Sequence, residues 1–144
     1  MGNRRRYGIM ALVILIVPHN EIMLMEVAQV KRGRPPDWRD ALEEPVALWD
    51  GAELAEVLGL IERLPESEPM RCFSPGFGIR VYVGSDARAE VLFCFQCHIA
   101  LTIDLKDPQS GHTGMTFDPD SEPARDLLSW FRGVSAAHDA SSGS

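Results

Sequence analysis

Cysteine, positive charge and long apolar runs are all scarce in this chain, and each shortage excludes a class of protein. Three cysteines in 144 residues do not make the dense disulfide framework of a small secreted scaffold. A chain of this length buries roughly two-thirds of its unfolded surface and stands without one. Lys and Arg total 14 against 21 Asp and Glu, a formal charge of -7, which argues against a general binder of nucleic-acid backbones. The longest apolar run, Ile9 to Val17, rises only about 15 Å as a helix, roughly half a hydrocarbon core, so it is too short for a full transmembrane span. There is no G-x-S-x-G elbow, no Walker pattern and no internal repeat. What is present is one ordinary soluble domain's worth of sequence, 45% hydrophobic and 24% charged, outside the low-complexity, collagen-like and disordered ranges.

The charge is unevenly placed. Residues 1 to 39 hold seven basic side chains against Glu21, Glu26 and Asp37, so the remainder is more acidic than the total suggests. An acidic body behind a basic front implies that the two parts meet different surroundings.

Arg4-Arg5-Arg6 precedes the apolar run, which Pro18 closes. This is the n-region and h-region of an export signal, although no small-x-small cleavage triplet follows Pro18. Residues 1–20 therefore read in three ways: a signal-like or anchoring segment, which favours a periplasmic or membrane-anchored location with residues 9–17 touching the membrane; an extra β-strand, since five of the nine residues are Val or Ile; or an extension ahead of a later start at Met10, Met23 or Met25.

Further along, Ile22 to Val30 reads as a strand ending at the basic loop Lys31 to Pro36, which no regular element crosses. Asp50 and Glu53 form a capping-box-like start, and Leu54, Val57, Leu58 and Ile61 share one helical face up to about Leu64. Pro75, Gly76 and Gly78 demand a shaped turn. Ile79, Val81 and Val83 then alternate with polar neighbours as a strand that ends at Gly84-Ser85-Asp86. From Ala89 to Leu105 every odd position is apolar. Seventeen residues is about three times a usual strand, which argues for two strands or one sharply bent strand; with no Gly, Asn or Pro inside, a bulge or bend near Cys94 to Cys97 is favoured. A short strand at Thr113 to Phe117 follows. Ser121 caps the last helix, whose buried face is Ala124, Leu127, Leu128 and Phe131 and which Gly133 closes.

The expected fold is α+β: a two-layer sandwich with an antiparallel sheet of about 4–6 strands and two helices on one face, in the order β-α-β-β-β-β-α. Its domain is expected to span 21–134, followed by a disordered tail at 135–144.

Cys94-Phe95-Gln96-Cys97-His98 matches the C-x-x-C-H pattern of c-type haem attachment. Haem needs both thiols on one side of the porphyrin edge, whereas an extended strand points Cys94 and Cys97 to opposite faces. A redox dithiol belongs at a helix N-terminus, and no helix begins here. A Cys94 to Cys97 disulfide needs Cα atoms about 4.4–6.8 Å apart, against about 10 Å along a strand, so it requires a tight bend; Cys72 is an alternative partner for either. Cys72, Cys94, Cys97 and His98, or His112, also have the ligand types of a zinc site. Buried, unreactive cysteines under the helices are the plain alternative. Arg71, Arg80 and Arg88 lie on or near strands and could line an open face, with a solvated or ion-paired role the plainer expectation.

The segment Arg71-Cys72-Phe73-x-Pro75-Gly76-Phe77-Gly78-Ile79-Arg80, followed by Phe93-Cys94-Phe95-Gln96-Cys97, resembles a group of small bacterial proteins. These carry a Cys-Phe-x-Pro-x-x-Gly-[Ile/Leu]-Arg segment and then a Cys-Phe-x-Cys strand, often behind a signal peptide or lipoprotein leader. The likeness covers about residues 46 to 132. It implies that Cys72, Cys94 and Cys97 act as a unit, buried or metal-binding, and it implies no activity and no catalytic residue.

The leading expectation is a non-enzymatic bacterial protein-binding module that acts on a protein partner through its sheet face or acidic surface. One version is an immunity protein whose acidic surface masks a basic toxin. The competing expectation is a cysteine-based zinc or redox protein, with haem at Cys94, Cys97 and His98 as a variant.

Overall fold

The structure, a computed structural model, describes residues 15–31, 38, 41–68, 75–107 and 112–142. Among the described residues a 3-10 turn, His19–Glu21, is followed by β1 Leu24–Gln29, β2 Ala47–Trp49, α1 Gly51–Glu62, β3 Phe77–Val83, β4 Asp86–Cys94, β5 Ile99–Asp104, β6 His112–Thr116 and α2 Glu122–Ser142. The six strands form one antiparallel sheet ordered β2-β1-β3-β4-β5-β6. This is the expected α+β sandwich with a short edge strand, β2, added.

Side-chain alternation assigns the layers. Met25, Val27, Ile79, Val81, Ala89, Val91 and Phe93 are buried on one sheet face in a single cluster with Leu54, Val57 and Ile61 of α1 and Ala124, Leu127 and Phe131 of α2. Both helices therefore cover the same face, each through the stripe its sequence announces. The opposite face has a smaller apolar cluster, Ala28, Ala41, Leu42, Leu92 and Leu101. Leu42 packs there against Gly78, where a Cβ would collide with Leu42 Cδ2 and lie 3.0 Å from the Val91 carbonyl oxygen.

The turns explain the register. Val83 pairs with Asp86, so Gly84-Ser85 is a two-residue hairpin loop. Gly84, at φ 61, supplies the positive φ such a loop needs at its first position. Arg88 is an extra residue in β4, because Val81 faces Ala89 while Tyr82 faces Ala87.

The stretch from Ala89 to Leu105 takes the two-strand alternative rather than the favoured bulge or bend. It is two strands joined by a turn at Phe95 to His98, with Cys94 paired to Ile99. His98 takes the left-handed conformation, φ 61, a role in which the sequence reading looked for Gly or Asn. Histidine is among the few other residues enriched there. Because cross-strand partners share a face, odd positions in β4 pair with even positions in β5. Leu101 and Ile103 thus lie on the face opposite Val91 and Phe93, and the unbroken odd pattern in the sequence spans two faces.

The ends differ too. Leu15 and Val17, 0% and 2% exposed, belong to the main core, so the folded body includes residues before position 21. α2 runs to Ser142, past Gly133, because a glycine in an exposed position weakens a helix by only about 1 kcal/mol. The Ser121 cap is present: its Oγ accepts from the Ala124 amide at 3.4 Å. At α1, Asp50 occupies the N-cap position but makes no side-chain capping hydrogen bond. The Arg4 to Arg6 cluster, the apolar run up to Ile14, the basic loop from Arg32 to Pro36, Arg71 and Cys72 lie outside the described residues. Among the described residues no helix is long and apolar enough to cross a membrane.

His19, in a single 3-10 turn at His19–Glu21, packs beside α1. Burial pushes its pKa below the ordinary 6.5 and outweighs the opposing pull of Glu62, whose Oε2 is 3.7 Å from His19 Nδ1. An unfolded chain protonates this ring near 6.5 and the folded one only at lower pH. Between those points the unfolded state binds more protons, so stability falls as pH drops through that window. In urea titrations, a His19→Gln variant is expected to lose less stability than the native chain between about pH 7.5 and pH 5.5; equal losses would exclude this role. Phe131→Ala is expected to cost about 3–5 kcal/mol in the same measurement.

Candidate functional site

The cysteine motif sits at the tip of the β4–β5 hairpin. Cys94 ends β4 and Cys97 lies in the turn, 1% and 0% exposed. Cys97 is disulfide-bonded, whereas Cys94 keeps its thiol. The Cys97 amide donates to Cys94 Sγ at 3.2 Å. His98 is half-buried, and its Nδ1 donates to the Glu68 carbonyl at 3.2 Å. A sulfur in a disulfide is not a thiolate ligand, and haem attachment consumes two thiols. The zinc set of Cys72, Cys94, Cys97 and His98 and the haem pattern therefore both belong to a reduced chain. Among the described residues no group of three or more His, Cys, Asp or Glu is placed to hold a metal ion.

On the sheet face away from the helices, Glu26, Arg80 and Glu90 stand side by side on β1, β3 and β4. Arg80 Nη2 lies 2.6 Å and Nε 2.8 Å from Glu90 Oε2, and Nη1 lies 3.2 Å from Glu26 Oε1. The Tyr82 hydroxyl donates to the same Glu26 oxygen at 2.6 Å. That bond is the main reason the Tyr82 pKa is raised, with burial adding to it. Burial works against the Arg80 charge, but the hydrogen bond and charge of Glu90 overcome it and raise the Arg80 pKa. Glu90 is 2% exposed, so this ion pair is desolvated on one side. The expected ion-paired role of Arg80 is thus realised. The two carboxylates were not singled out in the sequence, although Glu90 at an even position of an apolar strand is the signal that marks its side chain.

The third feature is a groove of about 430 Å³ on the outside of the helical layer, lined by Glu56 of α1 and Asp126, Ser129, Trp130, Gly133 and Val134 of α2. Trp130 is half-buried and meets Trp49 edge-on, ring centroids 5.8 Å apart at 80°. The surrounding layer is strongly acidic. Between Asp50 and Glu68 six carboxylates face Arg63 alone, and between Asp118 and Ser142 five face Arg125 and Arg132. Sequence reading located the acidity of the body but not this groove, because Glu56 and Asp126 are brought together only by helix packing.

Compared with family models, curated proteins and solved structures, the chain matches none.

Removing Arg80 would leave two carboxylates facing each other on a largely desolvated face. Arg80→Met is expected to cost about 3 kcal/mol by chemical denaturation, and adding Glu90→Gln to recover part of it. A loss below about 1 kcal/mol would mean the cluster behaves as a screened surface pair.

Proposed function

We propose that the protein is a non-enzymatic bacterial protein-binding module whose acidic helical layer receives a basic segment of a protein partner in the groove between α1 and α2. The observation that carries this reading is the coincidence of a concave site, a half-buried tryptophan and an excess of carboxylates on the same layer. Tryptophan offers a large rigid contact at small entropic cost and dominates many interfaces. Glu56 and Asp126 on the groove walls favour Lys or Arg, and the wider acidic field steers a basic partner toward it. An immunity-type role, in which an acidic surface covers a basic toxin, is the concrete form this reading takes.

The helical groove is favoured over the second sheet face for a physical reason. At the centre of that face Arg80 is held between Glu26 and Glu90 and neutralises one of the two carboxylates, Leu42 packs over Gly78 beside it, and the cavity that adjoins them is lined by the cations Lys31 and Arg80. The groove's carboxylates have no cation of their own layer in comparable number.

The test is affinity capture from the source cell with native protein and with a Glu56→Lys/Asp126→Lys variant. A basic protein retained by the native chain, not by the variant, and released about tenfold more in about 500 mM salt than in about 50 mM salt is the expected result. Equal retention by both chains, or retention indifferent to salt, would overturn the proposal. A circular dichroism spectrum of the variant matching the native one excludes misfolding as the cause of a loss.

A further inference from the structure

β6 is the last strand of the described sheet, and its outer edge carries no charge, proline or bulge to keep other strands away. It holds no Asp, Glu, Lys, Arg or Pro, it pairs with β5 without a register shift, and His112, Thr113 and Gly114 are exposed. The opposite edge, β2, is three residues long and flanked by Glu43, Glu44 and Asp50, which is how edges are usually blunted. We propose that β6 is a self-association edge that pairs antiparallel with β6 of a second copy of this chain, about a two-fold axis at Gly114. This inference does not depend on the partner-binding reading.

The hydrogen-bond phase of the strand decides the pairing. The Phe117 amide donates to the His98 carbonyl at 2.9 Å. Backbone groups alternate in direction along an antiparallel strand, so Met115 and Thr113 also turn theirs to β5, whereas Thr116, Gly114 and His112 turn theirs to the open edge. Those three positions are symmetric about Gly114. A two-fold axis there sets His112 opposite Thr116 of the second copy and Gly114 opposite its own counterpart, and each such pair exchanges both N–H···O bonds. The edge is its own complement, which is why a second copy rather than an unrelated strand is its occupant. Thr113 then faces Met115 of the second copy in the closer, non-hydrogen-bonded pairs, on the face where Met115 packs against the main core.

Gly114 is an independent pointer to the same contact. Nothing within the chain requires a glycine there: its φ is not positive, and a Cβ would meet Ile99 Cγ2 at 3.8 Å and Leu101 Cδ1 at 4.0 Å, which are ordinary contacts. Glycine inside a strand marks a bulge, a bend or the close approach of another backbone, and the β5–β6 register is unbroken. Charge agrees. In a chain of formal charge -7, two copies repel least at a strand that carries no carboxylate.

Five residues make a small interface, so the dimer dissociates on dilution. Sedimentation of the full-length chain between about 5 µM and about 500 µM is expected to show a mass that rises from 16.0 kDa toward twice that value and no further. Because two acidic bodies are brought together, the dimer fraction is expected to grow between about 50 mM and about 500 mM salt. Gly114→Pro removes the amide at the centre of the new pairing and none that β5 uses; it is expected to stay monomeric over the same range with a native circular dichroism spectrum. Amide exchange in the native chain gives a readout that needs no variant. The amides of His112, Gly114 and Thr116 are expected to exchange about tenfold more slowly at the high concentration than at the low one, and those of β2 equally at both. A native chain that is monomeric throughout, assembly beyond a dimer, a dimer weakened by salt, a Gly114→Pro chain that dimerises like the native one, or β6 amides indifferent to concentration would each overturn the proposal.

Discussion

The Phe131 ring is the contact on which the arrangement of the helical layer depends. It stacks on Phe77 at 5.1 Å and meets Phe93 and Trp49 at 5.5 Å each and Phe95 at 6.2 Å. One side chain of α2 thus touches β2, β3, β4 and the turn that follows β4. Aromatic pairs of this kind contribute about 0.5–1.5 kcal/mol each beyond the area they bury, and here they share a ring. Fixing Phe131 inward also fixes its neighbour: Trp130, about 100° around the helix, meets Trp49 of β2 edge-on and lines the groove with Glu56 of α1. The outer groove is a geometric consequence of the inner packing.

A second constraint acts from the other side of the sheet. β4 is buried on both faces, and Glu90 is the one carboxylate in its buried part. A carboxylate in that setting is tolerated only with a partner, and Arg80 lies directly opposite it in β3, with Glu26 directly opposite Arg80 in β1. A slip of one residue in either pairing would turn a charge into the aliphatic layer under the helices, because side chains alternate strictly. The ionic cluster therefore fixes the register of the three central strands. Its net contribution to stability is smaller than its contribution to that choice, since desolvation cancels much of the attraction.

The features that sequence reading recovered were those determined by local periodicity. The stripe of Leu54, Val57, Leu58 and Ile61, the Ser121 cap and the end of β3 at Gly84-Ser85 all depend on neighbours within a turn or two. What escaped was determined by distance in the chain. Trp49, Phe77, Phe93 and Phe131 converge from four separate elements, and nothing in the spacing of aromatics announces it. Residues 47–49 are too few for alternation to mark β2. The bend expected near Cys94 to Cys97 was instead a full reversal, because turn propensity was judged by Gly, Asn and Pro while His98 provided the left-handed residue. The apolar alternation offered no warning: with a four-residue loop, odd positions simply pass from one face to the other. α2 outran Gly133 because the helix beyond it needs no further buried stripe to continue.

That reversal governs the chemistry open to the cysteines. On one continuous strand Cys94 and Cys97 would stand about 10 Å apart and point to opposite faces, and no sulfur of one could reach the other. The turn replaces that separation with the close approach of a β-turn and directs the Cys97 amide onto the Cys94 sulfur. Cys97 is disulfide-bonded and Cys94 is not, a difference that the symmetrical spelling C-x-x-C conceals. A metal or haem site treats its cysteines as equivalent donors and needs both as thiols. With Cys97 in a disulfide, ligation at this hairpin is a property of the reduced chain alone.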